Sequence, residues 1–365
     1  MYEQFFELKR KPFELVPNPE FLFLGATHKK AMTYLNYVVH EGAGFMVLTG
    51  EVGSGKTTLI RDFINRLDDR TTLARVFNTR VDFEQLLAMI NDDFGLDSAG
   101  KNKVTLLKEI NQFLIEEHGK GRLPVLIIDE AQDLTPAVLE EVRLLSNLET
   151  PDAKLLQIIL VGQPELAQML SLAELRQLRQ RVSIVCNLNP LTRSECEEYI
   201  HHRLTVAGNG DAVQFSPQAM DKIYSFSSGI PRLVNILCNF LLLTAFAEET
   251  KAIDEGMVDE IIKDIQGDIP NHPGNDGSGG QPAPRQTLEP SPSEGEGRSA
   301  PSPALHAQDD DKNKLMLLFM LVLMMDDMGN RVKALEKEHA CVKIRDLNGL
   351  SHGLELLEKC EHQTQ

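Results

Sequence analysis

The chain is short of cysteine, of positive charge and of long apolar runs, and each shortage closes off a class of protein. Its five cysteines (Cys186, Cys196, Cys238, Cys341, Cys360) are odd in number, widely spaced and without a C-x-x-C. That suits reduced thiols in a cytoplasmic protein and argues against a disulfide or zinc framework. Met1 to Pro12 is polar and aromatic, with no apolar core of signal-peptide length. The apolar run Leu315 to Met325 holds 11 residues, against the roughly 20 that a membrane-crossing helix needs. No transmembrane span is expected. Acidic residues outnumber basic ones 54 to 37, for a net charge of -17, and the excess is -11 over residues 1–267 and -6 over the remainder. Neither part is a polyphosphate-binding surface, so nucleic acid is not expected as a partner. No repeat of 20 to 50 residues is visible.

What is present centres on Gly50-Glu51-Val52-Gly53-Ser54-Gly55-Lys56-Thr57-Thr58, a complete G-x-x-x-x-G-K-[ST] phosphate loop. It lies between an apolar run, Phe45 to Thr49, and a stretch with helical apolar spacing at Leu59, Ile60, Phe63, Ile64 and Leu67. The motif requires this strand-to-helix setting. Gly50, Gly53 and Gly55 let successive N–H groups face one anion, and the helix N-terminus adds partial positive charge. Lys56 is then placed for the β- and γ-phosphates of ATP and the Thr57 hydroxyl for Mg²⁺.

A second apolar run, Val125 to Ile128, ends in Asp129 and Glu130. A buried parallel strand that opens on a ligand crevice reads this way. Asp129 is placed to hold Mg²⁺ or its water, and Glu130 to polarise an attacking water. Further strands are expected at Leu73 to Phe77, Leu155 to Val161 and Val182 to Asn187, with helices between them. The whole is a five-stranded parallel sheet flanked by helices, an α/β architecture. Gln163 follows the fourth strand, where a γ-phosphate and its water would lie, and an amide in an ordinary loop is the alternative. Arg176, Arg179 and Arg181 fall in a short helical stretch. The aromatic and proline-rich lead of residues 1–44 is read as core first and as an adenine contact second.

After Asn189-Pro190 the pattern is helical only, with a capping box at Thr192 to Glu195, starts at Ser216-Pro217 and Pro231, and Arg232 at the start of a helix. The expected domains are an α/β nucleotide-binding domain over 1–188, an all-helical lid over 189–266, a Pro/Gly/Ser-rich disordered linker over 267–311 and a helical tail over 312–365. The tail carries short, imperfect heptads from Met328 onward.

In this order the motifs resemble the AAA+ ATPases, and more closely the general secretion pathway protein A type, nearest the secretion ATPases found beside exosortase loci. The resemblance covers about residues 1 to 266 and includes Met1-Tyr2-Glu3, Lys11-Pro12-Phe13, Ile128-Asp129-Glu130-Ala131-Gln132 and Leu178-Arg179-Gln180-Arg181. It implies a P-loop NTPase that binds and hydrolyses ATP with Mg²⁺, with Gln163 as sensor 1, Arg181 or Arg179 as arginine finger and Arg232 as sensor 2. It further implies a homo-oligomer serving an inner-membrane secretion or export component from the cytoplasm. Protein A members of the type II secretion system continue into a transmembrane helix and a peptidoglycan-binding domain, and the tail here departs from that pattern. A DNA-dependent ATPase of the transposition-helper type shares the nucleotide motifs and is the alternative.

Overall fold

Every residue of the first strand, β1 (Phe45–Gly50), is buried. A strand is covered on both faces only when helices pack on both sides of its sheet. The computed structural model describes residues 2–77, 79–150 and 153–267. Beyond residue 267, the linker and tail expected over 267–311 and 312–365, with the Leu315 to Met325 run and the heptads, lie outside the described residues. β1 is joined by β2 (Thr71–Val76), β3 (Leu123–Ile128), β4 (Gln157–Gly162) and β5 (Ile184–Leu188) in one sheet of order β2-β3-β4-β1-β5. All neighbours are parallel, with Leu48 opposite Val161 on one side and Cys186 on the other.

The two-residue alternation of a strand sorts the core into two layers. Phe45, Val47, Leu126, Ile128, Ile158 and Leu160 face α3 (Phe83–Asp93), α4 (Lys103–Gly119) and α5 (Pro136–Leu145). Met46, Leu48, Val125, Ile127, Ile159 and Val161 face α1 (Ala26–Glu41) and α2 (Lys56–Asn65). At about 1.5–3 kcal/mol for each large side chain removed from water, these layers dominate the stability of the unit. The strands end at Gly50, Ile128 and Gly162 on one rim, which sets the phosphate loop, the acids and Gln163 side by side.

Beyond the sheet come α8 (Arg193–Ala207), α9 (Pro217–Ser227), α10 (Pro231–Ala247) and α11 (Glu255–Gly267). Thr192 and Glu195 form the expected capping box, and Ser216 caps α9. The region is not purely helical: β6 (Gln214–Phe215) and β7 (Ala252–Ile253) pair in parallel. Two residues per strand carry too little alternation to be seen in sequence.

Residues 2–23 pack against these helices. Tyr2, Phe6, Phe13 and Phe21 are buried. The Lys9 N–H donates to the Ala207 carbonyl at 2.8 Å, and the Tyr2 hydroxyl to Asn239 Oδ1 at 3.2 Å. Arg203, itself buried, donates to the Pro12 carbonyl and to the Tyr199 hydroxyl, and lies over the Phe21 ring at 4.7 Å. The aromatic lead is therefore core. Glu195 ties the same helices to α1 by accepting the Ala26 N–H at 2.7 Å.

Candidate nucleotide site

The phosphate loop is a cradle at the end of β1. Gly53 and Gly55 adopt φ of +82° and +95°, a region that costs an L-residue about 1–2 kcal/mol. α2 begins at Lys56 itself, three residues before Leu59, where the spacing of its apolar residues begins. The Lys56 ammonium is buried and donates to the carbonyls of Gly50 at 2.7 Å and Glu51 at 3.0 Å. Burial pushes its pKa down from the usual lysine range, against the pull of Glu130 and Asp129. Ser54 Oγ is buried with no protein partner. An anion in the cradle would meet this charge and the loop N–H groups with little water to compete.

The acids lie at the end of the strand two places away in the sheet. Asp129 is 3% exposed, and burial followed by repulsion from Glu130 raises its pKa, with Arg75 opposing at an Nη2 to Oδ2 distance of 3.5 Å. Arg75 also stacks on the exposed Phe77 ring at 3.8 Å. Glu130 adopts φ of +51°, and its carbonyl accepts from the Thr79 hydroxyl at 2.9 Å. Its Oε2 accepts from Gln132 Nε2 at 2.7 Å and from Gln163 Nε2 at 3.3 Å. β4 lies between β1 and β3, which is why Gln163, the residue after β4, reaches an acid 33 positions earlier.

Arg232 comes to the phosphate loop from α10. Its N–H donates to the Gly53 carbonyl at 3.2 Å, and a Cβ on Gly53 would stand 2.5 Å from the Cβ of Arg232. Its Nε is buried without a partner, a donor left over for a ligand. The two finger candidates separate. Arg179 Nη1 donates to the carbonyls of Leu170 at 3.3 Å and Ser171 at 3.1 Å, capping the helix Pro164–Leu170. Arg181 is exposed at the end of the helix Arg176–Arg181, away from the cradle, where its charge lowers the pKa of Glu149 as a minor contribution behind Lys154.

The profile of the AAA domain family matches residues 39–170 of the chain. Those residues are similar to that family, and the parallel sheet with its phosphate loop has the P-loop AAA-type fold. The match spans the phosphate loop, both acids and Gln163. Over 268 residues the chain is 41% identical to general secretion pathway protein A of Aeromonas hydrophila, a stretch covering 73% of this chain and 49% of that protein. The chain thus spans about half the length of that relative. Among solved structures it is similar to ORC2 of Aeropyrum pernix (TM-score 0.52, 17% identity, 70% of this chain and 71% of that one). Cdc6p of Pyrobaculum aerophilum gives TM-score 0.51 at 18% identity, over 72% and 70% of the two chains. These identities speak for the fold alone.

The residues around the AAA domain's acids include several with no prior signal of a role. Arg75 is a charge inside a strand, and Thr79 is an ordinary loop hydroxyl. His28 had a legible signal, since it stands on the apolar stripe of α1 with Met32, Leu35 and Val39. It is 2% exposed and its Nε2 lies 3.0 Å from the Ser54 carbonyl, so it braces the loop, while burial lowers its pKa. Gln132 ends the segment Ile128 to Gln132, whose residue types alone assign it no role. Among the described residues no helix is long and apolar enough to cross a membrane.

Proposed function

We propose that this chain hydrolyses ATP with Mg²⁺ and uses the cycle to power or regulate a protein secretion or envelope export system. The observation that carries the catalytic half is that a buried lysine in a phosphate cradle stands on the same rim of the sheet as Glu130, whose carboxylate is held by two amides. Gly50 to Thr58 would hold the phosphates, Lys56 and Arg232 would neutralise them, and Glu130, next to Gln163, would orient and polarise the attacking water. Thr57 and Asp129 supply the hard oxygen donors that suit Mg²⁺, a metal that keeps several waters and shares the phosphates. Bound there, Mg²⁺ draws charge from the phosphate oxygens.

Arg181 is the better candidate for a finger acting on a neighbouring copy, because Arg179 is already engaged. This supports a homo-oligomer, with the lid over 189–266 and the α/β domain over 1–188 as its moving parts. The 41% identity to general secretion pathway protein A supports the export role, an inner-membrane partner and a cytoplasmic, membrane-peripheral location. The narrower reading is an ATPase associated with exosortase loci. The acidic balance favours a protein partner over DNA.

Two experiments test the role. A chromosomal Glu130→Gln variant should stop delivery of secreted or envelope material while the protein remains at normal abundance. Normal delivery with hydrolysis abolished would remove the export role. Duplex DNA at about 0.15 M salt should leave the ATPase rate unchanged, whereas strong stimulation would promote the transposition-type reading.

A further inference from the structure

We propose that Gln132 is a positioning residue for water activation: its side-chain amide aims the Glu130 carboxylate and fixes it to the end of β4. The proposal rests on the reading of Glu130 as the group that polarises water. Both ends of the amide are in use. Nε2 donates to Glu130 Oε2 at 2.7 Å, and Oε1 accepts the Gln163 N–H at 3.0 Å. An amide with one donor and one acceptor committed in opposite directions cannot turn over without losing both bonds.

The chain makes room for this bridge. At Gly162 a Cβ would stand 2.8 Å from Gln132 Oε1 and 2.9 Å from Leu166 Cδ2, so the last residue of β4 is bare where Gln132 passes. Glu130 needs such a hold. Its φ of +51° is sparsely populated for a residue with a side chain, and its backbone is pinned by the Thr79 hydroxyl and by the Asp133 N–H, which donates to the Glu130 carbonyl at 3.0 Å. The pinned backbone leaves the carboxylate to be aimed by what it touches. Gln132 makes the shorter of the two bonds to Oε2, and the 3.3 Å contact from Gln163 is the weaker. With Oε2 occupied by amide hydrogens, Oε1 is the oxygen left to accept from water. A glutamine that served only to join β3 to β4 would need its acceptor end alone.

The test uses the full chain. Gln132→Met removes both bonds at similar length, and kcat should fall about 10- to 100-fold, the cost of a misplaced reacting group, while KM and fluorescent-ATP affinity stay within about 3-fold. In the Glu130→Gln background the same substitution should change the residual rate less than about 2-fold, because the positioned group is gone. Gln132→Glu keeps the acceptor for the Gln163 N–H and loses the donor, so it should fold and lose at least as much kcat. Unchanged kcat in Gln132→Met, a full additional loss in the Glu130→Gln background, or wild-type kcat in Gln132→Glu would each overturn the proposal. Failure of the underlying reading shows separately, as wild-type turnover in Glu130→Gln alone.

Discussion

Substituting Gly53→Ala should lift Arg232 from the phosphate loop, and the size of the effect follows from three contacts. An alanine at φ of +82° is strained by about 1–2 kcal/mol. Its Cβ would stand 2.5 Å from that of Arg232, an overpacking of about 1–3 kcal/mol. If α10 retreats to relieve it, the Arg232 N–H to Gly53 bond is lost, for about 1 kcal/mol. Against this, alanine restricts the unfolded chain and returns about 0.4–1 kcal/mol. The net loss is about 2–5.6 kcal/mol, or a fall in Tm of roughly 4–22 °C for a unit of this size. Thermal unfolding of the full chain measures it, with fluorescent-ATP binding alongside. Gly53→Ala combined with Arg232→Gly separates the parts, because it removes the clash and leaves the strain, so the double variant should recover part of the Tm. A Tm within about a degree of wild type, or no recovery in the double variant, would refute the reasoning.

Glu117 accepts from Arg122 Nη2 at 2.7 Å, Lys120 Nζ at 3.0 Å and Thr72 Oγ1 at 2.8 Å, and the Arg122 bond leads in holding its pKa down to about 2. A depressed carboxyl gives stability that is whole above the usual glutamate range and is lost as pH falls toward about 2; Glu117→Gln should cost about 1–3 kcal/mol at neutral pH and flatten the denaturant midpoint between about pH 5 and 2. Arg179→Ala should uncap the helix Pro164–Leu170, cost about 0.5–1.5 kcal/mol of stability and so lower Tm, whereas Arg181→Ala should leave Tm alone and lower turnover. Mixing Arg181→Ala with Glu130→Gln subunits should then restore part of the activity, and no recovery in demonstrably mixed assemblies would give Arg181 another role.

The sheet was readable because three of its strands, β1, β3 and β4, are short apolar runs ended by glycine or acid, and each strand read from sequence appears within two residues of its place at either end. The phosphate loop and Asp129-Glu130 were readable because their spacing is fixed by backbone geometry. Neighbourhood across the sheet was not. Nothing in the linear order says that Gln163 and Gln132 share one carboxylate oxygen, because that follows from β4 lying beside β3. The pairing of β6 with β7, 38 residues apart in register, has the same cause. The packing of residues 2–23 on α8 and α10 is a contact between the two ends of the unit, and its aromatic residues announced burial without announcing against what.

The most direct measurement is ATP turnover by the purified full chain, with and without Mg²⁺, beside Lys56→Ala and Glu130→Gln. Turnover should require Mg²⁺, Lys56→Ala should lose nucleotide binding, and Glu130→Gln should bind ATP with near-wild-type affinity while hydrolysing it at least about 100-fold more slowly. Equal turnover in wild type and Glu130→Gln, or turnover that persists in Lys56→Ala, would contradict the assignment of this site.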